Sequence, residues 1–412
     1  MVSSTQEIPF GVMPESFLPH GMGRSMGDCC LNDGNVLLTT AGLNRFLAWD
    51  PGSGLLRAES GVSLDALLNL TVPAGWFAPV TPGTRFVSLG GCVANDVHGK
   101  NHHCAGTFGK HVTRLQLRRS DGSRLVCSRE ENPAWFQATI GGLGLTGLIE
   151  WVELQLRPII NSWIDSEIIR YGGVDEFFAL NDESVAGYEY VVAWLDTVAG
   201  RGRNRGLFIR GNHNQDSARS TRLAPSGPSV SVPIMPPISL LNHWTMRGFN
   251  SLYYWAHFRE KAFPASMGTF FYPLDVVGAW HRVYGPSGLL QWQGLVPDRD
   301  AVREILRLAD KMGGSSLAVM KVMGDGPAPG LLSFSGRGTT IALDFPRSPR
   351  VLRMLPQLDQ VVAEVGGRLY PAKDARMSGQ HYRQYYPQWT ELLPFIDPKF
   401  SSSFWRRVTA GA

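Results

Sequence analysis

The sequence predicts an α+β fold, and three observations carry that prediction. Short runs of strand type recur along the chain, each broken by glycine or proline. Two amphipathic segments, "DRDAVREILRLADKMG" and "SPRVLRMLPQLDQVVAEVGG", have helical spacing and are closed by glycine. The 46 glycines, 27 prolines and 12 tryptophans point to many turns and a mixed or sheet-rich architecture, not a helical bundle.

Within residues 1–160, "NVLLTT", "RFLAWD", "LLRAESG", "VTRLQLRR" and "RLVCS" read as strands. "SLDALLNLTV" reads as a helix with Ser63 as its N-cap, and "NPAWFQATIG" as a second short helix. "TGLIEWVELQLRPI" alternates apolar and polar residues and reads as a long strand. The texture changes over residues 161–363. There "YEYVVAWLD", "RGLFIRG", "LLQWQGLVP", "SLAVMKVMG" and "TTIALDFP" are strands, and the two amphipathic segments are helices that build an α+β layer with them. Between these elements lies a Ser/Pro/Arg-rich stretch whose second half presents Ile234, Met235, Ile238, Leu240, Leu241 and Trp244. Residues 225–244 read either as a loop packed on its own domain or as a lid or lipid-facing flap. Residues 364–412 are polar and aromatic again, more like the first stretch than the second.

At roughly 150 residues per domain, a chain of 412 residues holds two to three domains. The net charge of +4 is too mild to argue for nucleic acid and suits an anionic cofactor or an anionic membrane surface. No apolar window is long enough for a transmembrane helix, and the N-terminus has no signal-peptide pattern. The five cysteines are odd in number, lie in the first third and form no CxxC pair, which argues against a disulfide framework or a structural zinc site. A cytoplasmic protein, or one peripheral at a membrane surface, is the expectation.

Three glycine-rich segments hold the chemistry. In "HGMGRSMGD", His20 to Asp28, glycines let backbone N–H groups approach a ligand closely, and Arg24 and Ser25 add donors. In "PVTPGTRFVSLGGCVANDVHGKNHH", Gly83, Gly90, Gly91 and Gly99 punctuate a loop with hydroxyls at Thr84 and Ser88. A metal reading would use His98, His102 and His103, but no HExxH is present and no neighbouring acid or cysteine completes a ligand set. A polyanion-binding turn is more economical, so no metal is expected. "GGLGLTG" matches GxGxxG at Gly142, Gly144 and Gly147, yet a helix-like run precedes it and a strand follows. That is the reverse of a Rossmann fingerprint.

In this order the three segments resemble the FAD-binding domain of the vanillyl-alcohol-oxidase (PCMH) type of flavoenzymes. Within that group the chain looks like the family of decaprenylphosphoryl-β-D-ribose 2-oxidases and their sugar-oxidase relatives. "SMGTFFYPLD", "YGPSGLLQWQ", "MKVMG" and "GGRLYPAKDAR" are further landmarks in order, so the resemblance covers roughly residues 20–400; "HGKNHH" and "LYPAKDAR" are its most specific pieces. The resemblance implies an FAD domain built from residues 1–160 with a C-terminal return over 364–412. An antiparallel-sheet substrate domain is inserted at 161–363. The family's usual first β-α-β unit looks short or missing, since only about twenty residues precede the first loop.

The resemblance further implies which residues hold FAD. They are Gly21, Gly23, Arg24, Ser25, Met26, Gly27 and Asp28 from the first loop, and Gly83, Ser88, Leu89, Gly90, Gly91, Asn95, Asp96, Val97 and His98 from the second. Gly147 and Ile149 follow from the third, and Tyr370 from the tail. Arg24 stands where some members tether flavin through a histidine, so the FAD is expected to be non-covalent. Lys373 and His98 are the implied catalytic residues. Lys100, Tyr272, Gln291, Gln293, Lys321 and Thr340 are the implied substrate residues, with Gln291 and Gln293 sharing one face of a strand. Three positions depart from the family: Met26 replaces a tyrosine, Ala342 a cysteine and Thr340 an asparagine. The implied reaction oxidises a secondary alcohol of a sugar, the ribose 2-hydroxyl of a polyprenyl-phosphate ribose, and leaves a keto sugar for an NAD(P)H-dependent reductase partner. A flavin oxidase of a soluble polyol or lactone, and a non-catalytic flavin-fold partner protein, are the alternatives.

Overall fold

The computed structural model describes residues 16–200, 202, 204–223, 230–257 and 261–411. Two antiparallel sheets organise the chain. The smaller holds Phe46–Asp50 (β1), Leu55–Glu59 (β2), Val112–Arg118 (β3), Arg124–Ser128 (β4) and Leu148–Gln155 (β5), in the order β1-β2-β5-β3-β4. Period-two alternation puts Leu115 and Leu117 of β3 in one core with Val152 and Leu154 of β5. Helix Leu64–Thr71 (α1) closes over that core through Leu64, Leu67 and Leu68. Its start is the expected one: Ser63 Oγ accepts from Ala66 N at 3.0 Å. Short helix Leu89–Ala94 (α2) begins the same way at Ser88.

The larger sheet holds Trp163–Tyr171 (β6), Tyr190–Asp196 (β7), Arg205–His213 (β8), Lys261–Ser266 (β9), Leu289–Val296 (β10), Leu317–Met323 (β11), Gly338–Pro346 (β12) and Arg368–Leu369 (β13). Its order is β9-β6-β8-β7-β11-β12-β10-β13, antiparallel throughout. Helices Val174–Ser184 (α3), His243–Ala256 (α4), Arg299–Lys311 (α5) and Pro349–Glu364 (α6) accompany it. Apolar stripes of α3, α5 and α6 bury one face of this sheet. Phe177, Ile305, Leu306, Leu358 and Val362 meet Met320, Ile341 and Leu343 there. Full burial of each such side chain stabilises the fold by about 1.5–3 kcal/mol. The opposite face packs Ile164 and Tyr190 into the core of the smaller sheet and lines a cavity with Val192, Val319 and Ala342.

Two elements escape the sequence patterns. β9 carries Pro264, which an edge strand tolerates because its outer N–H groups need no partner. α4 begins at the end of the 225–244 stretch read as a loop or flap and runs on to Ala256. Asn242 caps it in a capping box with Thr245, while Met246 and Asn250 turn inward and much of its apolar surface turns outward. Residues 225–229 of that stretch lie outside the described residues.

Segments from the first and last parts of the described chain meet around the first glycine loop. Phe17–His20 pairs in parallel with Val36–Thr39, and Phe17 bonds the backbone of Lys399 and Ser401. Arg407 joins Asp28 to Asp374 at 2.7 and 2.9 Å. Before that, Arg368–Leu369 extends the edge of the large sheet, so the C-terminal stretch touches both sheets.

Candidate active site

A cavity of about 990 Å³ opens where the glycine loops meet the face of the large sheet opposite α3, α5 and α6. That is at the upper end of ligand-sized pockets, roughly 300–1,000 Å³. Strand register sets its floor. Gln291 lies opposite Asp344, and Asp344 opposite Leu317. Gln293 lies opposite Ala342, which faces Val319, which faces Trp194. Thr340 lies opposite Lys321. The floor is therefore polar on β10, β12 and the end of β11, and apolar on β7 and β8, where Val192, Trp194 and Ile209 line it. Phe249 and Tyr253 of α4 extend the apolar end.

The polar end is tightly bonded. Lys321 Nζ lies 2.6 Å from Gly99 O and 2.6 Å from His98 Nδ1. His98 Nε2 meets the Gln293 amide at 3.1 Å, and Gln293 Nε2 donates to Thr340 Oγ1 at 3.0 Å. Burial, reinforced by Lys321, holds the His98 imidazole well below its usual pKa, so it is neutral, with one donor and one acceptor. Gln293 Nε2 has two N–H donors and gives one to Thr340 Oγ1 and the other to His98 Nε2, so the imidazole proton sits on Nδ1 and faces the neutral amine of Lys321. Burial lowers Lys321 to about 7, helped by Lys100 and Lys373, and lowers Lys100 to about 7. Lys100 Nζ donates to Phe270 O and sits over the Phe270 ring at 4.6 Å. Lys373 is half-buried beside the cavity; burial lowers it too, and Asp344 opposes that shift. Asp344 is pushed up to about 6 by burial, against the Gln291 hydrogen bond and Lys373.

The family model of the FAD binding domain matches residues 14–128. The chain is 34% identical over 410 residues to decaprenylphosphoryl-β-D-ribose oxidase of Mycolicibacterium smegmatis, covering 95% of this chain and 88% of that protein. It is 31% identical over 370 residues to an uncharacterised protein of Streptomyces coelicolor, covering 84% of this chain and all of that protein. A shorter likeness, 30% over 140 residues, joins it to L-gulonolactone oxidase of Scyliorhinus torazame, with 34% and 31% of the two chains covered. The chain belongs to the decaprenylphosphoryl-ribose oxidase family.

FAD is the cofactor of this family member, which is an FAD-linked oxidoreductase acting on CH–OH groups. The cavity fits it. Its lining brings Arg24 of the first glycine loop, whose Nε donates to Phe86 O, together with the backbones of Gly83, Gly90 and Gly91, a cation and close N–H groups suited to a diphosphate. Ser60 Oγ is buried in that lining without a hydrogen-bond partner among the described residues. Gly21 lets the first loop close on the second, since a Cβ there would stand 2.2 Å from Ser88 Oγ. Among the described residues no group of three or more His, Cys, Asp or Glu is placed to hold a metal ion.

Of the residues expected around the family's cofactor, Gly21, Gly23, Arg24, Ser25, Met26, Gly83, Ser88, Gly90, Gly91, Asn95, Val97, His98, Gly147, Ile149 and Tyr370 line the cavity. Lys100, Gln291, Gln293, Lys321, Thr340 and Lys373 line it too. Five expected residues stand behind the wall instead. Gly27 lies against the Asp374 backbone, and Asp28 pairs with Arg407. Leu89 is buried in the α1–α2 core. Asp96 accepts from Gly109 N and Ser333 Oγ at 2.8 and 2.5 Å, tying two loops together. Tyr272, expected as an aromatic wall, is 2% exposed and bonds Thr81 Oγ1 at 2.5 Å; Phe271 lines the cavity in its place. Sequence reasoning missed Asp344, Ser60 and the apolar floor. Asp344 was within reach, because Thr340, Ala342 and Asp344 alternate on one strand face. Asp374, next to Lys373 in the chain, pairs with Arg407 and leaves Lys373 to the cavity.

Proposed function

We propose that this chain oxidises the 2-hydroxyl of a ribose carried on a polyprenyl phosphate to a ketone, in a substrate domain that the large sheet builds over the FAD-binding part. The observation that carries this reading is the two-natured floor of the cavity. A sugar matches the polar end, and a hydrocarbon chain matches Val192, Trp194, Ile209 and Tyr253. The soluble-polyol alternative leaves that apolar half without an occupant. A relative with a closely similar chain carries decaprenylphosphoryl-β-D-ribose in its name, which supports the same choice.

Bound FAD supplies the acceptor for the hydride that leaves the carbinol carbon. The chain's own residues do the rest. Gln291 Oε1 and Asp344 Oδ2 are buried, lack hydrogen-bond partners among the described residues, and accept from sugar hydroxyls. Lys373 holds the reacting oxygen and stabilises the negative charge that develops as its proton leaves. Burial lowers its pKa, which favours the neutral amine that takes that proton. His98, with Nδ1 held by Lys321, orients Gln293 rather than acting as the base. The keto product requires a ketone reductase next, and an NAD(P)H-dependent keto-sugar reductase is the partner that chemistry calls for. Mass analysis after incubation with farnesylphosphoryl ribose tests the reading. A product lighter by two hydrogens supports it, and an unchanged substrate contradicts it.

A further inference from the structure

An apolar surface borders the cavity at its apolar end. On α4, Trp244, Leu252 and Trp255 are 77%, 72% and 56% exposed. At 100° per residue they share one side of the helix, within about 80°. The opposite side carries Met246 and Asn250, both buried, with Asn250 Nδ2 donating to Asp196 Oδ1 at 2.9 Å. α4 is thus fixed to the end of β7 by its inner face and leaves its aromatic face bare. Beside it runs a strap whose Ile234 and Ile238 are 76% and 72% exposed. That strap is held in place: Val230–Ser231 pairs with Val277–Gly278, and Arg282 Nη1 donates to Val232 O and Pro233 O at 3.0 and 2.8 Å. Monomeric proteins rarely leave so many large apolar side chains bare together without a use for them.

Two features say what covers this surface. The first is continuity: Phe249 is 66% exposed and also lines the cavity, as do Trp280 and Leu274 beside the strap. The apolar floor and the apolar exterior therefore join at one rim. The second is charge. From Val230 to His257 the strap and α4 hold no aspartate or glutamate, while Arg247 is exposed on the helix and Arg170 stands 5.1 Å from the Trp255 ring. A lipid surface with anionic headgroups matches both, taking the aromatic face into its interface and the arginines at its phosphates. No helix among the described residues is long and apolar enough to cross a membrane, so the contact is with one leaflet.

We propose that the outer face of α4 and the neighbouring strap dock this protein on an anionic bilayer. A lipid-linked substrate then passes from the leaflet into the cavity along the Phe249 rim. This deepens the reading of the substrate as lipid-linked, and the two fail separately, because docking is measured without substrate.

The test is co-sedimentation of the FAD-loaded protein with vesicles of two parts phosphatidylcholine to one part phosphatidylglycerol. The expected result is binding that weakens with salt and with pure phosphatidylcholine vesicles. The triple variant Trp244→Ser, Leu252→Ser, Trp255→Ser should partition roughly a hundredfold more weakly. The single change Leu252→Glu should weaken it roughly tenfold. Both should keep bound FAD, wild-type thermal stability and wild-type turnover of a short-chain, water-soluble substrate. Failure of the wild-type protein to bind these vesicles overturns the proposal. So does a wild-type dimer in solution that the same substitutions make monomeric, since a second copy then covers the face. A variant that loses FAD is replaced by Leu252→Glu alone, and unchanged vesicle binding by that variant also counts against docking.

Discussion

Gln291 Nε2 lies 2.5 Å from Asp344 Oδ1 across the paired strands β10 and β12. The pair leaves one oxygen of each side chain buried without a partner among the described residues, beside Lys373. If these oxygens receive sugar hydroxyls, Asp344→Asn should cost about a hundredfold in kcat/KM, the scale of losing one well-placed electrostatic contact. The flavin spectrum should not change. Steady-state kinetics with a prenyl-phosphoryl ribose measures it.

The same carboxyl sets a pH dependence. Burial raises Asp344 to about 6, so it is ionised only above that pH. Turnover that needs the ionised acceptor should rise through pH 6, and Asp344→Asn should remove that limb. A pH profile of kcat/KM for both proteins decides it.

Lys321 gives a stability effect that also rises with pH. Its folded pKa, lowered to about 7, lies below the unfolded value near 10.5. Between these values the unfolded chain binds a proton that the folded one does not, so stability rises with pH across that window and is lowest below it. Thermal unfolding of the FAD-free protein should show Tm rising from pH 7 to pH 10, and Lys321→Met should make the rise shallower, with Lys100 supplying part of the remainder.

Gly27 tests a close approach. A Cβ there would stand 1.6 Å from Asp374 O, a backbone atom that cannot step aside cheaply. Gly27→Ala should cost about 1–3 kcal/mol and loosen the Arg407 link to Asp374, the neighbour of Lys373. A Tm several degrees lower, with reduced turnover, is the expected outcome.

Much of the site was legible because its parts are local. Glycine loops are contiguous in sequence, and Gln291 with Gln293 follows from period two alone. The apolar floor was not, because Val192, Trp194 and Ile209 join the site only through the strand order β8-β7-β11-β12-β10, which no local pattern encodes. Gly27, Asp28, Leu89 and Asp96 sit inside motif loops, but their backbones or side chains turn to the structure behind the loop. α4 was obscured because its apolar side faces outward, so its periodicity lacks the usual match to a core.

Tyr272 separates wall from support. Tyr272→Phe removes the 2.5 Å bond to Thr81, with an expected cost of about 1 kcal/mol. Because the ring does not line the cavity, KM should stay at its wild-type value. A stable variant with a raised KM would place the hydroxyl in the site after all.

On the proposed reading, one cavity takes a sugar at its polar end and a hydrocarbon chain at its apolar end. Anaerobic loss of the flavin's visible absorbance, followed in a stopped-flow instrument, tests this most directly. Rapid bleaching by farnesylphosphoryl ribose and far slower bleaching by free ribose or a simple polyol at equal concentration is the expected outcome. Equal rates for the lipid-linked and free sugars, or no bleaching by the lipid-linked one, would contradict it.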